Sequence, residues 1–522
     1  MTIAQSVCAT TKTGIRPSLT VRIVSPLLFV VLFFLALSYI TDKLIPVDTH
    51  WFIARENIQR MNRLPKNTID IAVLGGSTSY HSFSPYELYV KYGISSRCLG
   101  TSNQPMSASY YTLLELLKTQ SPRMVILEAE KLTGSSSEAD FRRVVDLMPI
   151  SCNKLHVILA HTQMEGSDSL LSYIFPLTKF NSTWKELTYK SFINVPFRVN
   201  PASNETMYAG FVMVSGQHGK DYSPIAKLGD ESADYNEESL DYLKQIVELC
   251  RERGIQFLLY SSLRATWTEQ RHNATQAFAD ENNIRYIDFN VKEAFMAADL
   301  SYPIDLWDTA HTNTFGAIKT TRFLGEVITS ACSFLDRRND PDYAYFAAEL
   351  PDYEHWVHVE RIQSEKNLAS YLLAVTEGAD ALDYSVYISV KDEASRNISQ
   401  EVGEAFNKIG VTTDFADKYH YSYLCVIGGG KVIYEKLASD ASEALSHTGV
   451  NPDGSAYAIE SAGYECGNRS IIKVGNVDAS RNARGFNIVV YDNRARRVVD
   501  SVTWDTYLPD ATEQAQHKAM TP

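Results

Sequence analysis

Residues 69–80, Ile-Asp-Ile-Ala-Val-Leu-Gly-Gly-Ser-Thr-Ser-Tyr, narrow the folds open to this chain more than any other stretch. The first half is an apolar run rich in β-branched residues, the pattern of a strand buried on both faces. The run stops at Gly75-Gly76, which permits a tight turn and close approach of backbone. Ser77 and Thr78 follow directly. A serine there stands at the carboxyl edge of a sheet, where open α/β folds keep their ligand sites.

The sequence after Ser77 alternates in the same manner. Ser84 and Pro85 read as the cap and first position of a helix. Residues 95–105 read as a strand end with Gly100 at its turn, 107–119 as a helix and 123–130 as a second buried strand. Residues 134–235 break the rhythm, as a lid or binding insertion does. Helices are then expected over 237–253, 268–282 and 315–334, and strands over 255–260 and 284–289. Strand and helix in alternation predict a parallel α/β sheet with right-handed crossovers. A chain of 522 residues exceeds one ordinary core, so a second domain is expected. The polar, turn-prone Arg337-Arg-Asn-Asp-Pro341 marks the boundary. A connector over 337–366 then leads to a domain over 367–508, with strands at 384–390 and 421–427 and a helix at 399–409. A late hairpin is expected around Asp492-Asn493, and 509–522 is expected to be a disordered tail. Gly428-Gly-Gly-Lys431 lacks the spacing of a phosphate loop and reads as a hairpin turn.

The N-terminus bears on compartment. Residues 1–22 carry Lys12, Arg16 and Arg22 and no acid, and Ile23–Ile40 is almost wholly apolar. This predicts a cytoplasmic tail over 1–22, an uncleaved transmembrane helix over 23–41 and an extracytoplasmic remainder. Residues 42–68 are expected to be a juxtamembrane linker, with Trp51 at the membrane interface. The formal charge of −13 excludes an ordinary nucleic-acid binder. Seven cysteines without a C-x-x-C pair argue against a zinc or redox motif. No metal or cofactor is expected.

Far downstream stands Trp307-Asp-Thr-Ala-His311. A serine hydroxyl needs a base to take its proton and donors to hold the oxyanion formed at the carbonyl it attacks. His311 is suited to be the base, and Asp308 to fix its tautomer. Backbone N–H groups near Ser77 and Gly100, with the Asn103 side chain, are the candidate oxyanion donors. An α/β-hydrolase elbow is excluded, because Ser79 fills the last glycine place of Gly-x-Ser-x-Gly.

This pattern resembles the SGNH (GDSL-like) hydrolase superfamily over residues 65–335. Gly-Gly-Ser77-Thr matches its first block, Gly100 its second and Asp308-Thr-Ala-His311 its fifth. The resemblance implies a flavodoxin-like three-layer domain over 69–336. The third block departs: Glu128-Ala-Glu130 replaces the usual Gly-x-Asn-Asp, so the oxyanion asparagine is absent. That loss, together with Met148-Pro-Ile-Ser-Cys-Asn-Lys154, resembles the membrane-anchored DltD, AlgJ and AlgX branch. It implies a multi-spanning membrane O-acyltransferase as partner and a cell-surface glycan or teichoic-acid-like polymer as acceptor.

Residues 367–508 resemble the interleukin-like EMT inducer (GG) domain. The matching stretches are Tyr387–Ser395, Ser461–Arg469 and Arg484–Asp492, with Trp504-Asp-Thr506 after them. This implies a smaller mixed α+β, β-sandwich-like module that binds carbohydrate; Lys391, Asp392 and Arg484 are candidates for its sugar site, with solvated surface charge as the other reading. Cys425 and Cys466 are the domain's only cysteines, and either a disulfide or two separate thiols fits the sequence. The expected function is O-acyl, in particular O-acetyl, transfer to a cell-surface polymer through an acyl-serine. A hydrolytic esterase using the same residues and a non-catalytic scaffold for a membrane acyltransferase are the alternatives.

Overall fold

The computed structural model describes residues 19–46, 48–164, 166–187, 207–378, 380–507 and 516–517. Most of the expected cytoplasmic tail, and all but two residues of the expected 509–522 tail, lie outside the described residues.

Helix α1 (Leu19–Leu44) contains a stretch, Val24–Leu44, long and apolar enough to cross a membrane. A helical run follows at once: α2 (Thr49–Ala54), a π turn (Arg55–Gln59) and a 3₁₀ turn (Arg60–Arg63). This run is part of the body. Trp51, expected at a membrane interface, is buried with its ring 5.5 Å from that of Phe180. Glu56 is buried between Arg60 and Arg97, at 2.7 and 3.2 Å. The segment expected to be a linker thus buries polar side chains, which is stable because Glu56 meets Arg97 and Asn57 meets the Gly100 carbonyl.

The expected alternation then unfolds as β1 (Ile71–Leu74), α3 (Ser77–Ser82), α4 (Pro85–Tyr92), β2 (Ser96–Cys98), α5 (Met106–Leu116) and β3 (Met124–Glu128). The insertion supplies α6 (Glu138–Val145), α7 (Cys152–His161), α8 (Leu170–Ile174), α9 (Leu177–Phe180), a 3₁₀ turn at Asn181–Glu186 and the short hairpin β4 (Met207–Tyr208) and β5 (Phe211–Val212). The rhythm resumes with α10 (Glu237–Arg253), β6 (Gln256–Ser261), α11 (Glu269–Glu281), β7 (Arg285–Asp288), α12 (Lys292–Ala297), α13 (Tyr302–Asp305) and α14 (Thr314–Ala331).

Five of these strands form one parallel sheet in the order β2-β1-β3-β6-β7. Successive side chains alternate between its faces. Ile71, Val73, Ile126 and Tyr260 face a core closed by Leu88, Leu324 and Ile328. Ala72, Leu74, Val125 and Leu259 face one closed by Leu113, Ile246 and Phe278. The result is a three-layer α/β sandwich after an N-terminal apolar helix, the fold class read from the sequence.

The second unit is built from α15 (Ala344–Ser364), α16 (Leu368–Thr376), β8 (Tyr384–Asp392), α17 (Gln400–Ile409), β9 (Tyr423–Gly428), β10 (Lys431–Leu437), β11 (Leu445–Val450), β12 (Ala456–Gly463), β13 (Arg469–Val474), β14 (Val477–Asp478), β15 (Gly485–Asp492), β16 (Arg497–Trp504) and β17 (Gln516–His517). The strands join in one mixed sheet, with apolar clusters around Ile388 and Val502 and around Tyr387 and Ile459. Gly429 and Gly430, at φ 58° and 73°, make the turn between β9 and β10. Both dihedrals lie where a two-residue hairpin turn needs glycine.

The connector is the long helix α15, and it is fixed to both units. Toward the first, Tyr86 donates to Glu349 at 2.7 Å and Tyr208 to Asp352 at 2.8 Å. Toward the second, the Gln363 amide donates to the Val499 carbonyl at 2.7 Å. Buried His355 places Nε2 2.7 Å from Asp492 and Nδ1 3.1 Å from Asp380. Burial opposes its charge, but the two carboxylates outweigh burial and raise its pKa above the ordinary 6.5. A raised folded-state pKa adds stability below the unfolded value and loses it as pH rises through the folded one. The full-length protein is therefore expected to melt at a higher temperature at pH 6 than above the folded pKa. His355→Gln removes charge-assisted bonds each worth about 1.5–3 kcal/mol. Thermal melts of both proteins from pH 5.5 to 8.5 check this: the variant's melting temperature loses that dependence.

Candidate active site

The end of β1 fixes the position of Ser77. Gly75 has φ 143°, and a Cβ on it would lie 2.9 Å from Glu128 Cβ. Gly76 is the N-cap of α3, and Ser77 is its first residue. From the neighbouring strand end, a Cβ on Gly100 would overlap Ser79 Oγ and stand 2.8 and 2.9 Å from the carbonyl oxygens of Gly75 and Gly76. The two strand ends thus meet without side chains between them. The Gly100 carbonyl accepts from Asn57 Nδ2 at 2.6 Å, and Thr78 donates to Glu128 Oε2 at 2.6 Å.

The fifth-block residues reach the same edge from a loop between α13 and α14. Leu306 pairs with Thr312, and the Trp307 N–H donates to the His311 carbonyl at 3.0 Å, closing the loop. Thr312 Oγ1 donates to the His81 carbonyl at 2.6 Å, which ties the loop to α3. His311 Nε2 then lies 2.8 Å from Ser77 Oγ, and Nδ1 lies 2.9 Å from Asp308 Oδ2. Asp308 Oδ1 accepts the N–H groups of Ala310 and His311 at 2.7 and 2.8 Å. Burial opposes its charge, but the imidazole and these two donors hold the carboxyl well below the usual carboxylate range. Asp308 stays ionised and His311 Nδ1 carries the proton, so Nε2 faces the Ser77 hydroxyl as an acceptor.

Two features escaped the sequence reading. His81 is one helical turn beyond Ser77, on the same face of α3. It is buried, with ring centroids 5.1 Å from His311 and 5.7 Å from Trp307. Burial and the adjacent His311 push its pKa far below normal, so it is a neutral wall behind the base. The i, i+4 spacing from Ser77 was its available signal. The second feature is the pairing of Glu130, whose place in the sequence had shown only the loss of an asparagine. Its Oε2 would lie 3.5 Å from a Cβ on Gly76, and Oε1 is 3.0 Å from Arg264 and 3.5 Å from Lys131. Burial would raise its pKa, but the two cations outweigh it and keep the carboxyl ionised.

Asn103 sits beside Gly76 with φ 52°, but its amide nitrogen donates to Asp140 of α6 at 2.6 Å and its side-chain oxygen accepts from Lys131. Its side chain is thereby turned to the insertion. The backbone N–H groups at Ser77 and Gly100 remain the candidate oxyanion donors.

In the second unit Lys391, Asp392 and Arg484 gather at one end of the paired β8 and β15. Lys391 donates to the Asn482 carbonyl at 2.7 Å, and Arg484 pairs with Asp505 at 2.8 Å and lies 4.3 Å over the Tyr507 ring. Asp392 Oδ1 is 3.9 Å from His420, which stacks between exposed Tyr419 and Tyr464. Of the two alternatives for Cys425 and Cys466, the structure has separate thiols and no disulfide. Cys425 points into the core with Ile388 and Ile427, where burial pushes its thiol up to about 12. Cys466 lies on a turn, its sulfur 3.3 Å from Ser422 Oγ.

A parallel sheet in this order, with the serine just after β1 and Asp-x-x-His just before α14, is the arrangement that the resemblance read from the sequence implies. No family model matches the chain, and no curated protein matches it. Among solved structures it is similar to a GDSL-like lipase from Bacteroides thetaiotaomicron, at 12% identity and TM-score 0.27, over 54% of this chain and 100% of that one. It is also similar to a proposed acylhydrolase from Bacteroides fragilis, at 12% identity and TM-score 0.25, over 52% and 94% of the two chains. A third is a gut microbial diltiazem-metabolizing enzyme, at 14% identity and TM-score 0.19, over 50% and 47%. These likenesses are slight, and the functional reading rests on the geometry.

Gly100→Ala is expected to force the two strand ends apart and destabilise the full-length protein by about 1–3 kcal/mol, read as a lowered melting temperature. Alkylation of the denatured, unreduced protein is expected to label both Cys425 and Cys466, which peptide mass spectrometry reads directly.

Proposed function

We propose that this protein is a membrane-anchored, extracytoplasmic O-acyltransferase that moves an acyl group, in particular acetyl, onto a cell-surface polysaccharide or related polymer. The observation that carries the chemistry is the relay Ser77 Oγ to His311 Nε2 at 2.8 Å and His311 Nδ1 to Asp308 at 2.9 Å. In the first half-reaction Ser77 Oγ attacks the carbonyl carbon of an acyl ester while His311 takes its proton. The tetrahedral oxyanion lies against the backbone N–H groups at Ser77 and Gly100. Collapse breaks the bond to the leaving oxygen, which receives the proton from His311, and leaves an acyl-serine ester. In the second half-reaction a polymer hydroxyl gives its proton to His311 and attacks that ester, and Ser77 regains the proton as it leaves. Water in place of the hydroxyl makes the same residues an esterase.

Glu130 bears on this reading. A free carboxylate beside an oxyanion would oppose its formation. Paired with Arg264 and Lys131, Glu130 instead belongs to a cluster without excess negative charge. Anchoring is supported by α1, and the acceptor role of the second unit by the convergence of Lys391, Asp392 and Arg484 with exposed Tyr419 and Tyr464. Aromatic faces beside charged groups are a surface that sugars stack on and hydrogen-bond to.

Intact-mass analysis of the full-length protein after incubation with an activated acetyl ester tests the chemistry. An acetyl adduct is expected on the wild type and on neither Ser77→Ala nor His311→Ala. Ester turnover by His311→Ala is expected to fall by on the order of 10²–10⁴-fold. An unmodified, inactive wild type would overturn the transferase and the esterase alike, and favour a non-catalytic partner of a membrane O-acyltransferase. Added polymer separates the first two, since only a transferase yields acylated polymer.

A further inference from the structure

Residues 150–184 carry exposed apolar side chains that neither the serine site nor the second unit uses. Ile150, Leu155, Leu171, Ile174 and Trp184 are 95, 48, 65, 48 and 62% exposed. They are not loosely attached. Val157, Ile158, Tyr173 and Phe180, from the same helices, are buried in one apolar cluster with Trp51 and Leu44. Helix α7 packs on α8, α8 on α9, and α9 with the following turn packs on α1. The exposed set is therefore the outer side of a folded layer, and apolar patches of this kind mark interaction surfaces.

The position of that layer follows from α1. Its side chains from Val24 to Leu35 are exposed, whereas Leu44 and Ile45 are buried by the layer. Thr183 Oγ1 donates to the Leu44 carbonyl at 2.5 Å. No spacer separates the bare part of the helix from the body. At 1.5 Å per residue, the apolar stretch Val24–Leu44 is about 30 Å long, close to the ~30 Å of a hydrocarbon core. Once that stretch lies in a bilayer, the headgroup level falls where α9 and the 181–186 turn touch α1.

We propose that residues 150–184 form a lipid-facing platform, seated in the headgroup and upper acyl region of the leaflet from which α1 emerges. The platform rests on the reading of α1 as a membrane anchor. Exposed Leu and Ile on short helices, with a Trp beside the anchor, fit an interfacial surface. The bilayer is the favoured occupant because α1 already brings it to this face, whereas a protein partner would have to displace it.

The test uses the full-length protein in phosphatidylcholine vesicles with either ordinary or brominated acyl chains, the latter quenching tryptophan they touch. Flotation reports the anchor, and a protein that fails to float overturns the anchor and the platform together. For a floating protein, brominated lipid is expected to remove up to roughly one-sixth of the emission, the share of one among 6 tryptophans. Trp184→Phe is expected to abolish that difference, and Trp307→Phe to leave it. Equal emission in the two vesicles, or a difference that survives Trp184→Phe, overturns the platform alone and leaves this surface to a protein partner.

Discussion

The 2.8 Å hydrogen bond from Ser77 to His311 joins residues 234 apart in sequence, and the site depends on it. It forms because two strand ends and one loop arrive at the same edge of a parallel sheet. β1 must stop sharply and release Ser77 onto a helix, which requires Gly75 to adopt a backbone angle closed to other residues. β2 must end close enough for the Gly100 loop to lie on that turn, which leaves no room for a Cβ. The loop of Asp308 and His311 is closed by its own pairing and tied to α3 through Thr312. Each constraint is local, but together they fix the serine–imidazole distance.

The surroundings of the relay have two parts with different electrostatic characters. Behind the base, His81 and Trp307 form a wall without net charge, and burial keeps His81 neutral. Beyond Gly76, Glu130, Arg264, Lys131, Asn103 and Asp140 form a dense array of paired charges. Such an array is stable only when satisfied, since an unpaired ion there would face a desolvation cost of several kcal/mol. It also connects the serine turn to α6, the first helix of the insertion, so the insertion supports the edge of the site.

The legible parts of the sequence were those written in local chemistry. The strand before Ser77 announces itself by β-branched residues and glycines. Helix α10 begins at Glu237 and ends at Arg253 as expected, because Asn236 caps its start and Gly254 turns left-handed at its end. Ser77, Asp308 and His311 were legible as a pattern, and the structure brings them together. What stayed hidden depends on partners distant in sequence. The burial of Glu56 and Asn57, in a segment expected to be a linker, stayed hidden because Arg97 and Gly100, which they meet, lie some forty residues away. Asn103 read as a free donor because Asp140, which takes its amide, lies 37 residues on. Cys425 and Cys466, the second domain's only cysteines, left a disulfide and two separate thiols both open, and they stay apart because one faces a core and the other a surface turn.

Helix α15 determines how the two units can cooperate. A flexible linker would raise the concentration of a bound polymer near Ser77 without fixing its direction. A helix bonded to the first unit through Glu349 and Asp352, and to the second through His355 and Gln363, fixes direction as well. The same joint carries a charge that depends on pH, because His355 binds Asp492 most strongly when protonated. In this architecture the edge of the parallel sheet positions the relay, and α15 holds the second unit to the first.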